Sequence, residues 1–201
     1  MVKWFQFSCV GEEHRAKNAF FADEKEFHGV DWMTLKMGRF QPYWNVDSWL
    51  RASEKRWDGV VEDVLNAACS LPIFSKRLKD ALDGGGIAAA DVQYLPVRVF
   101  HRDGREANGY FIANVLSRIE ALDRENCIRL EEDPNEIAPA TGKARVTGIW
   151  GPIAVHAARL EGHDFVRLLE FFPEMLVSAR FAAVYGQGGF TGAKLTPIRS
   201  Q

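Results

Sequence analysis

Alternating apolar and polar positions open the chain: in "MVKWFQFSCV" the side chains of Phe5, Phe7 and Cys9 fall on one side, so Val2 to Val10 reads as a strand. The mixed-charge stretch from Gly11 to Asp31 follows neither period. It reads as a solvated loop or a helix face, anchored by Phe20, Phe21 and Phe27. From Trp32 to Trp57 the aromatics Trp32, Tyr43, Trp44, Trp49 and Trp57 interleave with polar residues without one clear period. They read first as core and second as an interface, since tryptophan and tyrosine are favoured at interface centres.

A pattern then appears twice. "LPIFSKRLKDAL" (Leu71 to Leu82) and "EMLVSARFAAVY" (Glu174 to Tyr185) each place apolar residues before a serine and an arginine two positions after it. The spacing of Phe74, Leu78, Ala81 and Leu82, and of Val177, Phe181, Val184 and Tyr185, predicts two short helices, with Ser75 and Ser178 as caps accepting from first-turn N–H groups. "DGGG" (Asp83 to Gly86) and "GQGG" (Gly186 to Gly189) then supply residues that tolerate the left-handed conformation ending a helix. The strands that return match as well, "YLPVR" at Tyr94 to Arg98 against "LTPIR" at Leu195 to Arg199, and "DVL" and "VRL" stand upstream at equal offsets. Proline cannot donate to a ladder, so Pro96 and Pro197 point to sheet edges or bulges. "GYFIANVL" (Gly109 to Leu116) reads as a hairpin partner of "VRVF" across the turn "RDGREANG".

A unit of about 35 residues cannot close a core alone, so two copies are expected to pack together. The expected fold is therefore α+β, two pseudo-repeated strand-strand-helix-strand units in one compact body. The expected organisation is a single domain over 1–201, with a variable part at 1–62, a first unit at 63–100, connecting strands and an acidic loop at 101–164, and a second unit at 165–201. A chain of 201 residues, 47% hydrophobic, has enough apolar mass for one substantial core.

Charge and cysteine usage narrow the function. With 25 basic and 27 acidic residues the net charge is -2, without the basic excess that phosphate-neutralising proteins carry, so nucleic acid is not an expected partner. Cys9, Cys69 and Cys127 form neither a CxxC nor a disulfide framework, which fits reduced thiols in a cytosol. No apolar run nears the roughly 18 residues of a membrane span, and the opening residues lack a signal-peptide layout. A cytoplasmic protein with no membrane partner is expected.

Candidate chemistry is thin. His14, His28, His101, His156 and His163 are scattered; His156 and His163, seven apart, would lie two turns from each other on a helix, whereas helical zinc pairs usually sit four apart. Neither Ser75 nor Ser178 sits in GxSxG or SxxK. The glycine loops follow helices instead of preceding them, which leaves them as turns and not phosphate cradles. No catalytic residue, metal or cofactor is expected. Seven acids, Glu120, Asp123, Glu125, Glu131, Glu132, Asp133 and Glu136, stand against Arg124 and Arg129 in one stretch of local charge -5. Such a stretch is either a solvated loop or a docking surface for a basic partner, with Glu125, Glu131, Glu132, Asp133 and Glu136 as its candidate residues.

The ordered set "LPIFSKRLKDAL", "VQYLPVRVF", "GYFIANVLSRIEALDREN", "FVRLLEF", "MLVSARF" and "FTGAKLTPI" resembles immunity-protein family 11 of bacterial polymorphic toxin systems. The resemblance runs from about Asp63 to Ser200, with Ser75, Pro96, Gly109, Tyr110, Leu122, Asp123, Phe165, Arg167, Ser178, Gly192 and Pro197 in matching places. Lys76 and Ala179 stand where the family commonly has a glutamate after each serine. The resemblance implies a cytoplasmic protein that binds and neutralises a cognate toxin protein delivered between bacteria, as by type VI secretion, often a nuclease and so a basic partner. Two other readings remain beside it: a hydrolase or transferase that reverses a toxin-made modification using His156 or His163, and a small-ligand binder with a cleft between the two units.

Overall fold

The computed structural model describes residues 3–9, 21–52, 62–67 and 71–201. In chain order, β1 (Trp4–Ser8), β2 (Phe21–Glu26), the short α1 (Trp32–Lys36) and β3 (Trp49–Ala52) lead into β4 (Val64–Ala67), β5 (Pro72–Ser75), α2 (Lys76–Gly84) and β6 (Val92–Phe100). The middle of the chain forms β7 (Glu106–Val115), β8 (Arg118–Ile119), β9 (Leu130–Ala138), β10 (Lys143–Ile149) and β11 (Ala154–Val155), then a 3-10 turn at Ala157–Leu160. The chain closes with β12 (Phe165–Leu168), β13 (Met175–Ser178), α3 (Ala179–Gln187), β14 (Lys194–Pro197) and β15 (Arg199–Ser200). The body is α+β, as its alternation of periods predicts.

Strands β2, β3, β6, β7, β5 and β4 close into a barrel, and β14, β1, β13, β12 and β8 form a five-stranded sheet beside it. Strand alternation sorts the apolar side chains into three cores. Leu50, Leu65, Ile73, Leu95, Val99 and Ile112 fill the barrel. Phe7, Phe74, Phe165, Val177 and Phe181 join barrel, sheet and helices. Trp4, Val166, Leu168 and Leu176, on the sheet's other face, pack with Leu122, Val146 and Val155. In the joining core the rings of Phe74 and Phe165 stack at 6.0 Å, and Phe7 meets Phe165 at 5.1 Å. Here Phe5, Phe7 and Cys9 do face one way, with Phe5 and Cys9 packed against the joining core.

The two serine-containing runs adopt matching local structure. Ser75 Oγ accepts from the Leu78 N–H at 3.1 Å and donates to Asp63 at 2.7 Å; Ser178 Oγ accepts from the Phe181 N–H at 3.2 Å and donates to Asp164 at 2.5 Å. Both helices end in a residue of positive φ, Gly86 at 61° and Gly189 at 59°. The N–H groups of Gly86 and Ile87 bond to the Asp83 and Leu82 carbonyls, and those of Gly189 and Phe190 to the Gly186 and Tyr185 carbonyls, which satisfies the last turn of each helix. Sheet register corresponds too: Ser75 faces Tyr110 and Pro96 faces Phe111 in one run, while Ser178 faces Trp4 and Pro197 faces Phe5 in the other. Pro197 lies on the sheet's edge strand, and Pro96 lies on β6 outside the Arg98 to Phe100 stretch that pairs with β3.

The arginine two positions after each serine reaches across to the other helix. Arg77 Nη1 donates to the Gly188 carbonyl at 2.9 Å, and Arg180 Nη2 meets the Gly85 carbonyl at 3.5 Å. A cation at its own helix N-terminus is unfavourable, but here each is turned to the partner helix's negative C-terminus. Asp63 and Asp164 neutralise the two arginines and also accept from Thr191 N–H and Ala88 N–H of the opposite run, at 3.2 and 3.3 Å. Partial burial raises the Asp63 carboxyl, but hydrogen bonds from Arg77, Ser75 and Thr191 outweigh it and hold the group below its usual range.

Two expectations change. The stretch Gly11 to Asp31 contains strand β2, paired antiparallel with β3 and parallel with β4, where a loop or helix face was read; Gly11 to Phe20 lie outside the described residues. Its sequence, "FADEKE", carries no buried-strand pattern, because the backbone ladder to two neighbours fixes it. Phe27 is buried as an anchor, whereas Phe20 and the side chain of Phe21 lie outside the described residues. The acidic stretch is a loop only in its first half: from Leu130 it forms β9, half of a two-stranded hairpin with β10, while Asp123 to Arg129 lie outside strands, in turns and bends. The β6–β7 hairpin forms as read, with Val99 opposite Ala107 and Phe100 opposite Glu106.

Candidate partner-binding surface

Among the described residues the β9–β10 hairpin pairs in sheet fashion with no other strand, and most of β9 is exposed. Register shifts after Ala144 and Val146 and the proline at Pro134 break its regularity, features that blunt an exposed strand. Glu125, Glu131, Glu132 and Glu136 are exposed and Asp133 is half-buried. The fold brings cations to these acids that lie outside the acidic stretch in sequence. Lys143 and Arg159 flank Glu120, at 2.7 and 3.7 Å, and Arg145 pairs with Glu136 at 2.6 Å. Arg124 binds Glu132. Asp133 accepts from the Asn135 N–H at 2.9 Å, and Asp123 is buried, accepting from Asn126 at 2.8 Å. The local charge is thus smaller than the linear sequence indicates. Among the described residues, Glu125, Glu131 and Asp133 are the acids of this face with no ion pair.

Apolar groups join the face. Trp150 is 67% exposed, Ile137 58% and Ile128 43%. A Cβ on Gly148 would stand 2.6 Å from Trp150 Nε1 and 3.3 Å from Glu131 Oε2, so this glycine lets the indole lie back against the strand beside the acid. A partly bared tryptophan is a residue type that protein interfaces favour. Sequence reasoning overlooked Trp150; its signal was a tryptophan between glycines in "GIWGP", directly after an alternating strand.

The tryptophan-rich region divides. Trp44 donates its indole N–H to the Pro96 carbonyl at 2.7 Å, and Trp32 and Trp44 pack against the barrel core. Phe40, Val46 and Tyr43, the last 89% exposed, stand out from the loop between α1 and β3. Trp57 lies outside the described residues.

The histidines do not converge. His28 is exposed, with Nε2 3.2 Å from the Asp47 carbonyl. Burial and then the charge of Arg105 push His101 down, against a smaller opposing effect of Asp103. His156 precedes the 3-10 turn and His163 follows it, so the two do not share a helix, because Gly162 and the turn's four-residue length break the run. His14 lies outside the described residues, and among the described residues no three metal-ligating side chains come together. His163 lines a cavity of about 600 Å³ with Glu161, Asp164, Ser178 and Arg180. Of these, His163, Asp164, Ser178 and Arg180 are taken up in hydrogen bonds that hold the fold together. His163 Nδ1 lies 2.6 Å from buried Asp91, which also accepts from Ser117, Asp164 N–H and Phe165 N–H. Cys9 and Cys127 are free thiols; burial pushes Cys9 up to about 12 and raises Cys127, leaving both as packing groups, and Cys69 lies outside the described residues.

The fold is thus an α+β frame that exposes a charged hairpin ending beside a tryptophan. Residues 14–200 match the immunity protein family (Imm11), and the chain belongs to that family. The match begins well before Asp63, so the family's pattern takes in the tryptophan-rich region and most of the opening part that residue-by-residue reading left unmatched. Among curated proteins, none matches the chain. Among the described residues no helix is long and apolar enough to cross a membrane.

Proposed function

We propose that this protein neutralises a cognate bacterial toxin by stoichiometric binding in the cytoplasm of the producing cell, without turnover of its own. Family membership over nearly the whole chain carries this reading. The surface we assign to the toxin is the outward side of the β9–β10 hairpin, with Glu125, Glu131, Glu132, Asp133 and Glu136 as its candidate acids and Trp150 beside Glu131. Complementary charge steers encounter, so the toxin's face is basic, as a nuclease's nucleic-acid-binding face is. The chain itself, at net charge -2, binds neither nucleic acid nor membrane in this reading.

The test uses the product of the gene adjoining this one. Cells expressing it without this protein are expected to die, and co-expression is expected to rescue them. Survival without this protein removes the proposal. For the surface, Glu125→Lys with Glu131→Lys is expected to slow association about tenfold at low salt, because these two acids have no ion pair to break. An unchanged rate assigns the toxin to another face.

A further inference from the structure

The loop between α1 and β3 carries an apolar tip on a backbone that the barrel holds in place, and we propose that this tip inserts into an uncharged, apolar cleft of the toxin. The proposal rests on the immunity reading for the partner's identity, and on the loop's own build for the kind of surface it fits.

The segment 39–48, "RFQPYWNVDS", has one cation and one anion and so no net charge. On it Phe40, Tyr43 and Val46 are 62%, 89% and 63% exposed. Surface apolar residues scattered singly need no explanation, but three large ones within seven positions of one loop are the kind of patch that marks a protein contact.

The backbone beneath them is tied down. Gly38 turns the chain at a φ of 62°, where a Cβ would collide with the Val115 carbonyl oxygen, so the loop leaves α1 pressed against β7. Gln93 grips Gln41 twice: its Oε1 accepts from the Gln41 N–H at 2.9 Å, and its Nε2 donates to the Gln41 carbonyl at 2.7 Å. Asn114, fully buried, donates from Nδ2 to the Arg39 carbonyl at 2.9 Å. The Trp44 indole is tied to Pro96, and the Ser48 carbonyl accepts from the Arg98 N–H at 2.9 Å. Anchors thus alternate with bared side chains: Arg39, Gln41, Trp44 and Ser48 hold, while Phe40, Tyr43 and Val46 project.

A tip ordered before contact loses little conformational entropy on binding. Being uncharged, it offers nothing to offset the desolvation of a charged cleft, so it selects walls of aliphatic and aromatic groups. Met37, at the root of the loop, shares a groove with Glu136, Ile137 and Ala138 of the hairpin. Loop root and hairpin therefore adjoin, and a toxin seated on the hairpin reaches the tip as part of one continuous surface.

The test follows the adjoining gene's product binding to this protein at low and high salt. Phe40→Ala and Tyr43→Ala are each expected to speed dissociation about tenfold, by the same factor at both salts, with the association rate unchanged. Tyr43→Phe is expected to keep wild-type binding, since the ring is what the cleft takes. Sites this exposed leave the fold intact. Glu125→Lys with Glu131→Lys acts instead on association at low salt, which separates the two contacts. Unchanged dissociation in both alanine variants overturns the loop proposal and leaves the immunity reading standing. A product that never binds wild type removes both. Sedimentation of this protein alone is expected to show no self-association through the tip; a dimer that Tyr43→Ala dissociates gives the tip to a second copy and overturns the proposal.

Discussion

At the scale of single residues, Ser75 and Ser178 are the most legible positions in the chain, because a cap depends on neighbours three residues away. Ser75→Ala and Ser178→Ala should each cost about 1 kcal/mol in denaturant unfolding. What the sequence did not give was their second hydrogen bond, to Asp63 and Asp164, since that partner lies 12 or 14 positions back. Asp63 also sets a pH dependence. The Asp63 carboxyl lies below its usual range, as does that of Asp91, where burial is outweighed by bonds from Asp164 N–H, His163, Ser117 and Phe165 N–H. Groups whose folded-state pKa is depressed stabilise the fold above the unfolded value, about 3.9, and that contribution is lost as pH falls through the folded value. Acid titration of Asp63→Asn should show a shallower loss of stability below pH about 4 than wild type; an identical profile would show that Asp63 contributes nothing.

At the scale of elements, the two short helices explain why an arginine follows each serine by two positions. Each arginine closes the other helix's C-terminus, a contact between residues 95 to 112 positions apart that no local pattern reveals. The hairpin shows the opposite balance. Its alternation was hidden because Glu, Asp and Asn occupy most of β9, and only the pairing with β10 makes it a strand. The ion pair of Glu136 with Arg145 is over half exposed on both sides, so Glu136→Gln with Arg145→Gln should change stability by less than about 1 kcal/mol. A thermal melt checks this, and a small change means that binding defects of hairpin variants report on the interface.

At the scale of the whole molecule, barrel and sheet share the aromatic core of Phe7, Phe74, Phe165 and Phe181. Phe165→Ala should cost about 3 to 5 kcal/mol. Because that core belongs to both layers, fluorescence and far-UV circular dichroism should report one coincident transition. Two separated transitions would mean that barrel and sheet fold independently.

The sequence by itself determined the local matter: the opening strand, the two capped helices with their glycine exits, the β6–β7 hairpin and the α+β class. Each of these is written in residues that are close along the chain, where a 2.0 or 3.6 period, a cap or a turn acts on its own backbone. Only the tertiary structure decided that six strands close into a barrel, that a charged segment becomes β2, that distant cations offset much of the acidic stretch, and that Trp150 and Tyr43 stand out at the surface. Those outcomes depend on pairing and burial between segments far apart in sequence, and no run of neighbours encodes which distant partner a strand or a charge will meet.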